Sequence, residues 1–305
     1  MTVRAIGVIV AALLWAIPVN AAEPFRFVAL GDMPYGDDAD FKQLIIQINA
    51  AAPAFSIHVG DIKTGSSPCT DSVYVRTKAM FQTFEAPLFY TPGDNEWTDC
   101  HRKKAGKFAP RKRLAHLRQV FFAEPKSFGK VRMDYQRQSD DFPENAIWRH
   151  EGVLFATVHV VGSNNGLDQY KGSDEEHHQR DAANRAWIAE AFANAKAQDA
   201  AAVVLTFHGA PKFDWYDLRE KEAGLQKTLE ALAKHSVDFA KPVLLVHGDH
   251  HRFIVDRPLH DPYRQKYAGN VMRLQVFGHH TVGAVEVHVD VNSQDVFAFR
   301  PILTK

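Results

Sequence analysis

The sequence has 305 residues, of which 46% are hydrophobic and 24% are charged, and these proportions describe a folded globular chain. Lysine plus arginine equals aspartate plus glutamate at 36 each, so the chain lacks the basic excess typical of proteins that coat nucleic acid. The 18 glycines and 15 prolines fall in no low-complexity run, which argues against a disordered or fibrous chain. Nucleic acid is therefore disfavoured as a partner.

The first 22 residues are typical of a secretory signal peptide. Arg4 supplies a positive start, residues 5–19 form an uncharged apolar run, and residues 19–22 (VNAA) offer small side chains for cleavage. The apolar run is shorter than the about 20 residues that a membrane anchor needs. We expect a periplasmic or secreted protein without a membrane anchor. Residues 23–305 contain no repeat and no linker, and we interpret them as one domain.

Strands and helices alternate along the next part of the chain. Apolar runs of strand length occur at residues 25–30, 55–59, 87–91, 153–161, 202–207 and 242–246. Helical spacing of apolar residues occurs at 41–50, 71–84, 173–197 and 222–234. Between them, residues 101–150 are charged and weakly periodic, which predicts an excursion on the rim of the fold.

The end of the chain has a different pattern. Four further strands are predicted without helices between them, at residues 252–256, 271–277, 283–290 and 296–300. Parallel units followed by such a meander predict two packed sheets flanked by helices.

The two cysteines, Cys69 and Cys100, form an even count, which favours a disulfide in an exported protein. Cys69 lies eight residues after Asp61 and Cys100 six residues after Asp94. A bridge would therefore tie together two loops that carry acidic residues. Two buried free thiols are the alternative.

Side chains that could bind metal follow five of the predicted strands. The segments are Gly31-Asp32-Met33-Pro34-Tyr35, Gly60-Asp61, Gly93-Asp94-Asn95-Glu96, His208-Gly209 and His247-Gly248-Asp249-His250-His251. Open α/β sheets bind ligands at the carboxyl ends of their strands, and glycine permits the tight turn that brings side chains to one point. Aspartate and histidine together suit divalent metal ions. One Gly-Asp pair is usually only a turn, but five strand ends in register predict a metal site.

This series of motifs resembles the calcineurin-like metallophosphoesterase superfamily, which includes the purple acid phosphatases. The resemblance runs from Asp32 to His251, in the order of the family's motifs. It implies an α/β fold, a four-layer α/β/β/α sandwich of two mixed sheets flanked by helices, with two metal ions at the sheet edge. It also implies a phosphoesterase that hydrolyses small-molecule phosphate mono- or diesters through a metal-bridging hydroxide.

The resemblance implies a role for each motif residue. Asp32 and His251 correspond to ligands of the first metal, and Asp61 corresponds to the carboxylate that bridges both metals. The remaining counterparts, which would hold the second metal, are Asp94, His208 and Asp249.

The sequence departs from the family pattern at three places. Pro34 occupies the position of a histidine ligand, and Tyr35 beside it could replace that ligand or simply pack. Asn95 occupies the position of the catalytic histidine that helps to protonate the leaving group. Asp94 and Asp249 replace an asparagine and a histidine.

Several alternatives stay open at this point. A shift by one place would make Asn95 or His250 the ligand, and His247 could be a further ligand or support one. The basic run at residues 102–113 could attract anionic substrates to the rim of the site. Because Asn95 cannot donate a proton as an imidazolium does, the chain could also be a degenerate relative that binds metal or ligand without turnover.

The carboxylates at Asp94 and Asp249 add negative charge to the implied site. They should repel a dianionic monoester, since a close pair of unit charges is worth about 4 kcal/mol at an effective dielectric constant near 20. A monoanionic diester or a trivalent iron would relieve this repulsion. Oxygen ligands also favour manganese or magnesium over zinc. We therefore expect two metal ions drawn from Mn, Fe, Mg and Zn, with Mn or Fe preferred.

Overall fold

A computed structural model describes residues 22–213, 223–261 and 266–304 of the chain. The predicted signal peptide lies outside the described residues apart from Ala22. The polypeptide forms two sheets and a small two-stranded ribbon, with helices on the outer faces. No helix within these ranges is long and apolar enough to cross a bilayer.

The first sheet has five strands in the order β14-β13-β1-β2-β3. Strands β1, β2 and β3 are parallel, whereas β13 is antiparallel to both β1 and β14, so the sheet is mixed. The bounds of these strands are β1 Phe25–Leu30, β2 Phe55–His58, β3 Leu88–Tyr90, β13 Gly283–Val289 and β14 Phe297–Leu303.

The second sheet has seven strands in the order β4-β5-β6-β7-β8-β12-β9. Its centre, β6 to β12, is parallel, and its two ends are antiparallel. The bounds are β4 Gln136–Arg137, β5 Ala146–His150, β6 Val153–Thr157, β7 Ala202–Thr206, β8 Val243–His247, β9 Ile254–Asp256 and β12 Val271–Gln275. Strands β10 (His260–Asp261) and β11 (Lys266–Tyr267) form the separate ribbon.

Alternation of side chains along the strands sorts the buried residues into layers. In β1, Phe27 and Ala29 face the other sheet, whereas Val28 and Leu30 face helices. The helices against the first sheet are α1 (Asp38–Ala51), α2 (Asp71–Phe81) and α3 (Pro110–Phe121). Those against the second sheet are α5 (Ser173–Ala197) and α6 (Ala223–Phe239), while α4 (Gly162–Asn165) is a four-residue turn with left-handed backbone angles at Ser163 and Asn164. The predicted α/β/β/α sandwich of two mixed sheets is confirmed.

The prediction for residues 101–150 was wrong in part. This segment contains α3 and it contributes β4 and β5 to the second sheet. Helix α3 buries Arg113 next to Leu114 and Leu117 on its inner face, and Arg113 pairs there with Asp71 at 2.7 Å. A basic residue in the buried stripe interrupts the apolar periodicity, which is why the helix was not recognised.

A buried carboxylate links α3 to the second sheet. Glu144 accepts hydrogen bonds of 2.6 and 3.0 Å from the guanidinium of Arg118 on α3, and its Oε1 lies 2.6 Å from Nδ1 of His159. Burial alone would raise the pKa of Glu144, but His159 and Arg118 outweigh it and lower the pKa to about 2. Glu144 is therefore a charged group inside the fold that depends on both partners.

Candidate metal centre

The carboxyl ends of strands from both sheets meet at one place. Asp32, Asp61 and Asp94 follow β1, β2 and β3, and His208 and Asp249 follow β7 and β8. Their side chains form two groups of potential ligands, one of Asp32, Asp61 and His208 and the other of Asp94, His208 and Asp249. Within each group the ligand atoms lie within 4.8 Å of one another. The structure thus brings together five of the six predicted metal ligands.

His208 lies in both groups, and its orientation is set by the backbone. Its Nδ1 lies 2.8 Å from the carbonyl oxygen of Val59 and donates its proton there, so that Nε2 is the ring nitrogen that faces the carboxylates. Nε2 is 3.1 Å from Oδ1 of Asp94 and 3.3 Å from Oδ1 of Asp61. The Nε2 atom and the Asp94 Oδ1 atom are both buried without a hydrogen bond. Buried, unpartnered ligand atoms that face each other suit a metal ion.

The electrostatics of the centre favour a bound cation. Burial disfavours a charged His208, yet the surrounding carboxylates, Asp61 foremost, outweigh it and raise its pKa well above the usual value. Burial and then the charge of Asp94 raise the pKa of Asp249 to about 6. A positive charge nearby stabilises the ionised form of carboxylates that raise each other's pKa in this way. The residues present therefore fit a divalent metal by both donor type and charge.

The sixth predicted ligand, His251, lies next to the first group. Its Nε2 is 3.3 Å from Oδ1 of Asp32, and its side chain is half-buried. The backbone N–H of Asp249 also donates to the Asp32 carboxylate, at 3.2 Å to each oxygen. The loop after β8 thus holds Asp32 through both Asp249 and His251.

Asn95 and Tyr35 both contact Asp61. The Tyr35 hydroxyl donates to Oδ2 of Asp61 at 2.9 Å, and the Asn95 amide donates to the Tyr35 hydroxyl at 3.0 Å and to the same Asp61 oxygen. Burial, followed by the charge of Asp61, raises the pKa of Tyr35, so the phenol stays protonated as a donor. The Asn95 backbone N–H donates to Asp61 Oδ1 at 3.0 Å. Asp94, and not Asn95, therefore faces His208.

The two other histidines of the last motif lie outside both groups. His247 is buried, stacks on Phe207 with ring centroids 5.6 Å apart, and has its pKa lowered to about 3 by burial. His250 is exposed and lines an open cavity of about 530 Å³ together with Lys212 and Phe213. The geometry therefore favours Asp249 over His250 as the member of the second group.

Glu96 was not assigned a role from the sequence, although it ends the third motif. It is buried, and its Oε1 accepts hydrogen bonds from the backbone N–H groups of Asp61 (3.1 Å) and Gly93 (2.6 Å) and from the Tyr90 hydroxyl (2.8 Å). One carboxylate thus holds the second and third motif loops together. The fourth letter of Gly-Asp-Asn-Glu was the available signal.

A sixth strand end, after β6, also reaches the centre and was missed. The Ser163 hydroxyl donates to Oδ2 of Asp94 at 2.7 Å, which leaves Oδ1 of Asp94 for His208. A Cβ at Gly162 would lie 2.6 Å from Asp94 Oδ1 and 2.8 Å from Asp249 Oδ1, so only glycine fits this approach. The Gly-Ser pair after an apolar strand had the same form as the five recognised motifs.

The sequence matches no protein-family model and no curated protein. Among solved structures, a dimetal phosphatase from Danio rerio superposes with a TM-score of 0.53 at 11% identity, over 93% of this chain and 100% of that one. PhoD superposes with a TM-score of 0.57 at 12% identity, over 90% of this chain and 65% of PhoD. The chain has the metallophosphoesterase fold. The fold expected from the motif series is thereby confirmed.

Several residues of the candidate metal centre have left-handed backbone conformations. The φ angles are 55° at Asp32, 58° at Asp61, 74° at Asp249, 56° at His251 and 49° at Ser163. Non-glycine residues adopt this region rarely, and it costs about 1 to 2 kcal/mol for most of them. The strand ends therefore turn sharply where the candidate ligands are placed.

The predicted disulfide between Cys69 and Cys100 is present, with the two Cα atoms 5.7 Å apart. Both sulfurs lie beside the carbonyl oxygen of Asn95, at 3.5 and 3.7 Å. The buried ammonium of Lys63 donates to the same carbonyl at 2.7 Å. The bridge and Lys63 therefore both support the backbone of the third motif loop at the Asn95 carbonyl.

Reduction of this disulfide is expected to lower both the stability and the metal affinity of the protein. The bridged residues are 31 positions apart, and closing a loop of this size is worth about 4 kcal/mol in the chain-entropy model. The double variant Cys69→Ser/Cys100→Ser should melt at a lower temperature and bind Mn²⁺ more weakly in a calorimetric titration. Unchanged Mn²⁺ affinity in a folded double variant would show that the bridge does not support the loop.

Proposed function

We propose that this chain is an exported two-metal phosphoesterase that hydrolyses small-molecule phosphate mono- or diesters, with residues 23–305 as its mature domain. One observation carries the proposal: two groups of buried ligand atoms share His208 at the strand ends of a metallophosphoesterase fold. The disulfide and the signal-like N-terminal sequence support export.

In this proposal Asp32 and His251 would hold one ion, and Asp61 would contribute to both sites. The residues that complete the second site are Asp94, His208 and Asp249. When bound, the two ions would act as Lewis acids towards the phosphoryl oxygens and would lower the pKa of a bound water molecule. The chain's own part is to align these ligands, through the Val59 carbonyl on His208 and the Ser163 hydroxyl on Asp94.

Asn95 and Tyr35 have a supporting part in the proposal. Both donate to Asp61 and so fix the orientation of the shared carboxylate. An amide cannot act as a general acid, so the leaving oxygen would take its proton from water or from a nearby acid. The Asn95 position therefore contributes through geometry rather than through proton transfer.

One observation favours a second candidate function, that of a protein that binds metal or ligand without turnover. The Asn95 amide stands where the family has its catalytic histidine, and it is engaged with Asp61 and Tyr35. Hydrolysis of an aryl phosphate ester in the presence of added Mn²⁺ separates the two functions. Stoichiometric metal binding with no hydrolysis of any ester tested would favour the binding protein.

The metal preference follows from the four carboxylates of the centre. After removal of metal by a chelator, reconstitution with Mn²⁺ or iron should restore more activity than Zn²⁺, and an aryl diester should be hydrolysed at least as well as the monoester. The reason is that Asp94 and Asp249 add oxygen ligands and negative charge. The measurement is kcat/KM for both esters with each ion.

A matched variant tests the cause of that preference. Asp94→Asn removes one charge and keeps the shape of the side chain, so it should shift the preference towards Zn²⁺ and towards the monoester. A zinc-specific wild type with a strong monoester preference would show that Asp94 or Asp249 is not a ligand.

A further inference from the structure

The guanidinium of Arg102 lies at the edge of the candidate metal centre. Its Nη2 donates to the Ser163 hydroxyl at 3.0 Å, and that hydroxyl donates to Oδ2 of Asp94 at 2.7 Å. One hydroxyl group therefore separates the cationic side chain from a candidate ligand of the second metal. From the sequence, the basic run at residues 102–113 as a whole could attract anionic substrates to the rim of the site, and no single residue of the run was distinguished.

Arg102 also lies on the side of the centre where Asn95 is found. A Cβ added at Gly65 would lie 2.6 Å from Oδ1 of Asn95 and 3.6 Å from Nη1 of Arg102, so both side chains border the same glycine. The absence of a side chain at Gly65 lets both side chains approach its backbone this closely. Arg102 thus stands beside the position that carries the catalytic histidine in the family.

The position of the guanidinium is fixed by a buried acid. Nη1 of Arg102 pairs with the carboxylate of Asp99, whose side chain is fully buried, whereas the side chain of Arg102 is 45% exposed. An arginine has five N–H donors in a rigid fork. The bonds to Asp99 and Ser163 use one donor on each terminal nitrogen and leave the others for a ligand. A pre-positioned, partly exposed guanidinium of this kind suits the oxygens of a phosphoryl group.

We propose that Arg102 is a substrate-binding residue that contacts the non-reacting oxygens of the phosphoryl group, and this inference rests on the proposed function. Its permanent positive charge offsets part of the carboxylate excess of the centre. A dianionic group gains more from this contact than a monoanionic one. Arg102 is therefore the residue through which the site accepts monoesters and inorganic phosphate.

The test measures binding of inorganic phosphate to the Mn²⁺-loaded protein by calorimetry, together with kcat and KM for an aryl monoester and an aryl diester. Arg102→Gln should weaken phosphate binding by about 10- to 100-fold, the range for loss of a hydrogen bond to a charged group. It should raise KM for the monoester more than for the diester and leave the Mn²⁺ content unchanged. Arg102→Lys keeps the charge without the fork and should lie between the two.

Arg111→Gln is the matched control, because it removes the same charge from the same basic run. Arg111 is exposed and pairs with Glu175 at 2.9 Å, away from the centre. The phosphate affinity of Arg111→Gln should stay within about twofold of that of the wild type if Arg102 acts by direct contact. A general attraction by the basic run would instead be weakened equally in both variants.

The outcomes separate this inference from the proposed function. Phosphate binding that Arg102→Gln weakens, in a protein that hydrolyses no ester, supports Arg102 and contradicts the proposed function. Unchanged phosphate affinity and ester preference in Arg102→Gln, or an equal loss in Arg111→Gln, overturn the inference while the wild type still hydrolyses esters. A wild type that binds no phosphate also overturns it. If Arg102→Gln does not fold, the Arg102→Lys comparison decides in the same way.

Discussion

Asp61→Asn is expected to remove both metal ions together and to lower phosphate-ester hydrolysis by more than about 100-fold. Residues that only support a metal ligand already cost 10- to 100-fold when replaced, so loss of a shared ligand should cost more. Asp61 is central: one oxygen faces His208 at 3.3 Å, and the other accepts from Tyr35 at 2.9 Å. Metal content by atomic emission and initial rates with an aryl phosphate measure the two effects.

Two further variants serve as controls for the metal content and activity of Asp61→Asn. In the proposed arrangement Asp249 serves the second ion only, so Asp249→Asn should weaken one ion and retain the other. Asp199 is exposed and pairs with Lys241 at 2.6 Å, and Asp199→Asn should retain both ions and full activity. Two metal ions per chain and normal rates in Asp61→Asn would contradict the assignment of Asp61 as the shared ligand.

Glu144→Gln is expected to lower the free energy of unfolding by about 3 to 5 kcal/mol, the usual cost of breaking a buried ion pair. The substitution leaves Arg118 without its bidentate partner inside the fold. The same change at Glu175, which forms an exposed pair with Arg111, should cost no more than about 1 kcal/mol. Urea denaturation at pH 7 compares the two variants with the wild type.

The contribution of Glu144 should also depend on pH in a defined direction. Its folded-state pKa of about 2 lies below the ordinary value of 4.5, so the ionised carboxylate stabilises the fold fully above pH 4.5. This stabilisation, about 3 kcal/mol, is lost as the pH falls from 4.5 towards 2. The difference between wild type and Glu144→Gln, measured in chelator, should therefore shrink across that range. A constant difference would mean that Glu144 is not ionised in the folded protein.

Much of the fold could be predicted from the sequence because apolar periodicity followed the layers. Strand β1 begins and ends where the apolar run placed it, and helix α5 has its predicted bounds although its first half buries polar residues such as Arg180 and Asp181. Helix α3 was not recognised because Arg113 is buried by pairing with Asp71, an interaction that spacing alone does not reveal. Tertiary ion pairs of this kind can place a basic residue on an inner face.

The candidate site was predictable up to the choice between neighbouring residues. The motif order placed Asp94 or Asn95, and Asp249 or His250, near the second metal, but a shift by one residue reverses the direction of a side chain. In the folded chain Asp94 lies against His208 and Asn95 lies against Asp61, which the motif order alone does not determine. Ser163 follows a glycine after an apolar strand, but nothing in the sequence pairs it with Asp94, 69 positions away.

The left-handed conformations at the strand ends place thermal stability and activity in opposition. Asp32, Asp61 and Asp249 each occupy a backbone region that glycine would adopt more easily. Selection for thermal tolerance alone would therefore favour glycine at these places, and every such gain would delete a carboxylate. A variant of this chain selected only for thermal stability could therefore gain stability while losing its candidate metal ligands. Screens for heat-resistant variants should accordingly be paired with a metal-binding assay.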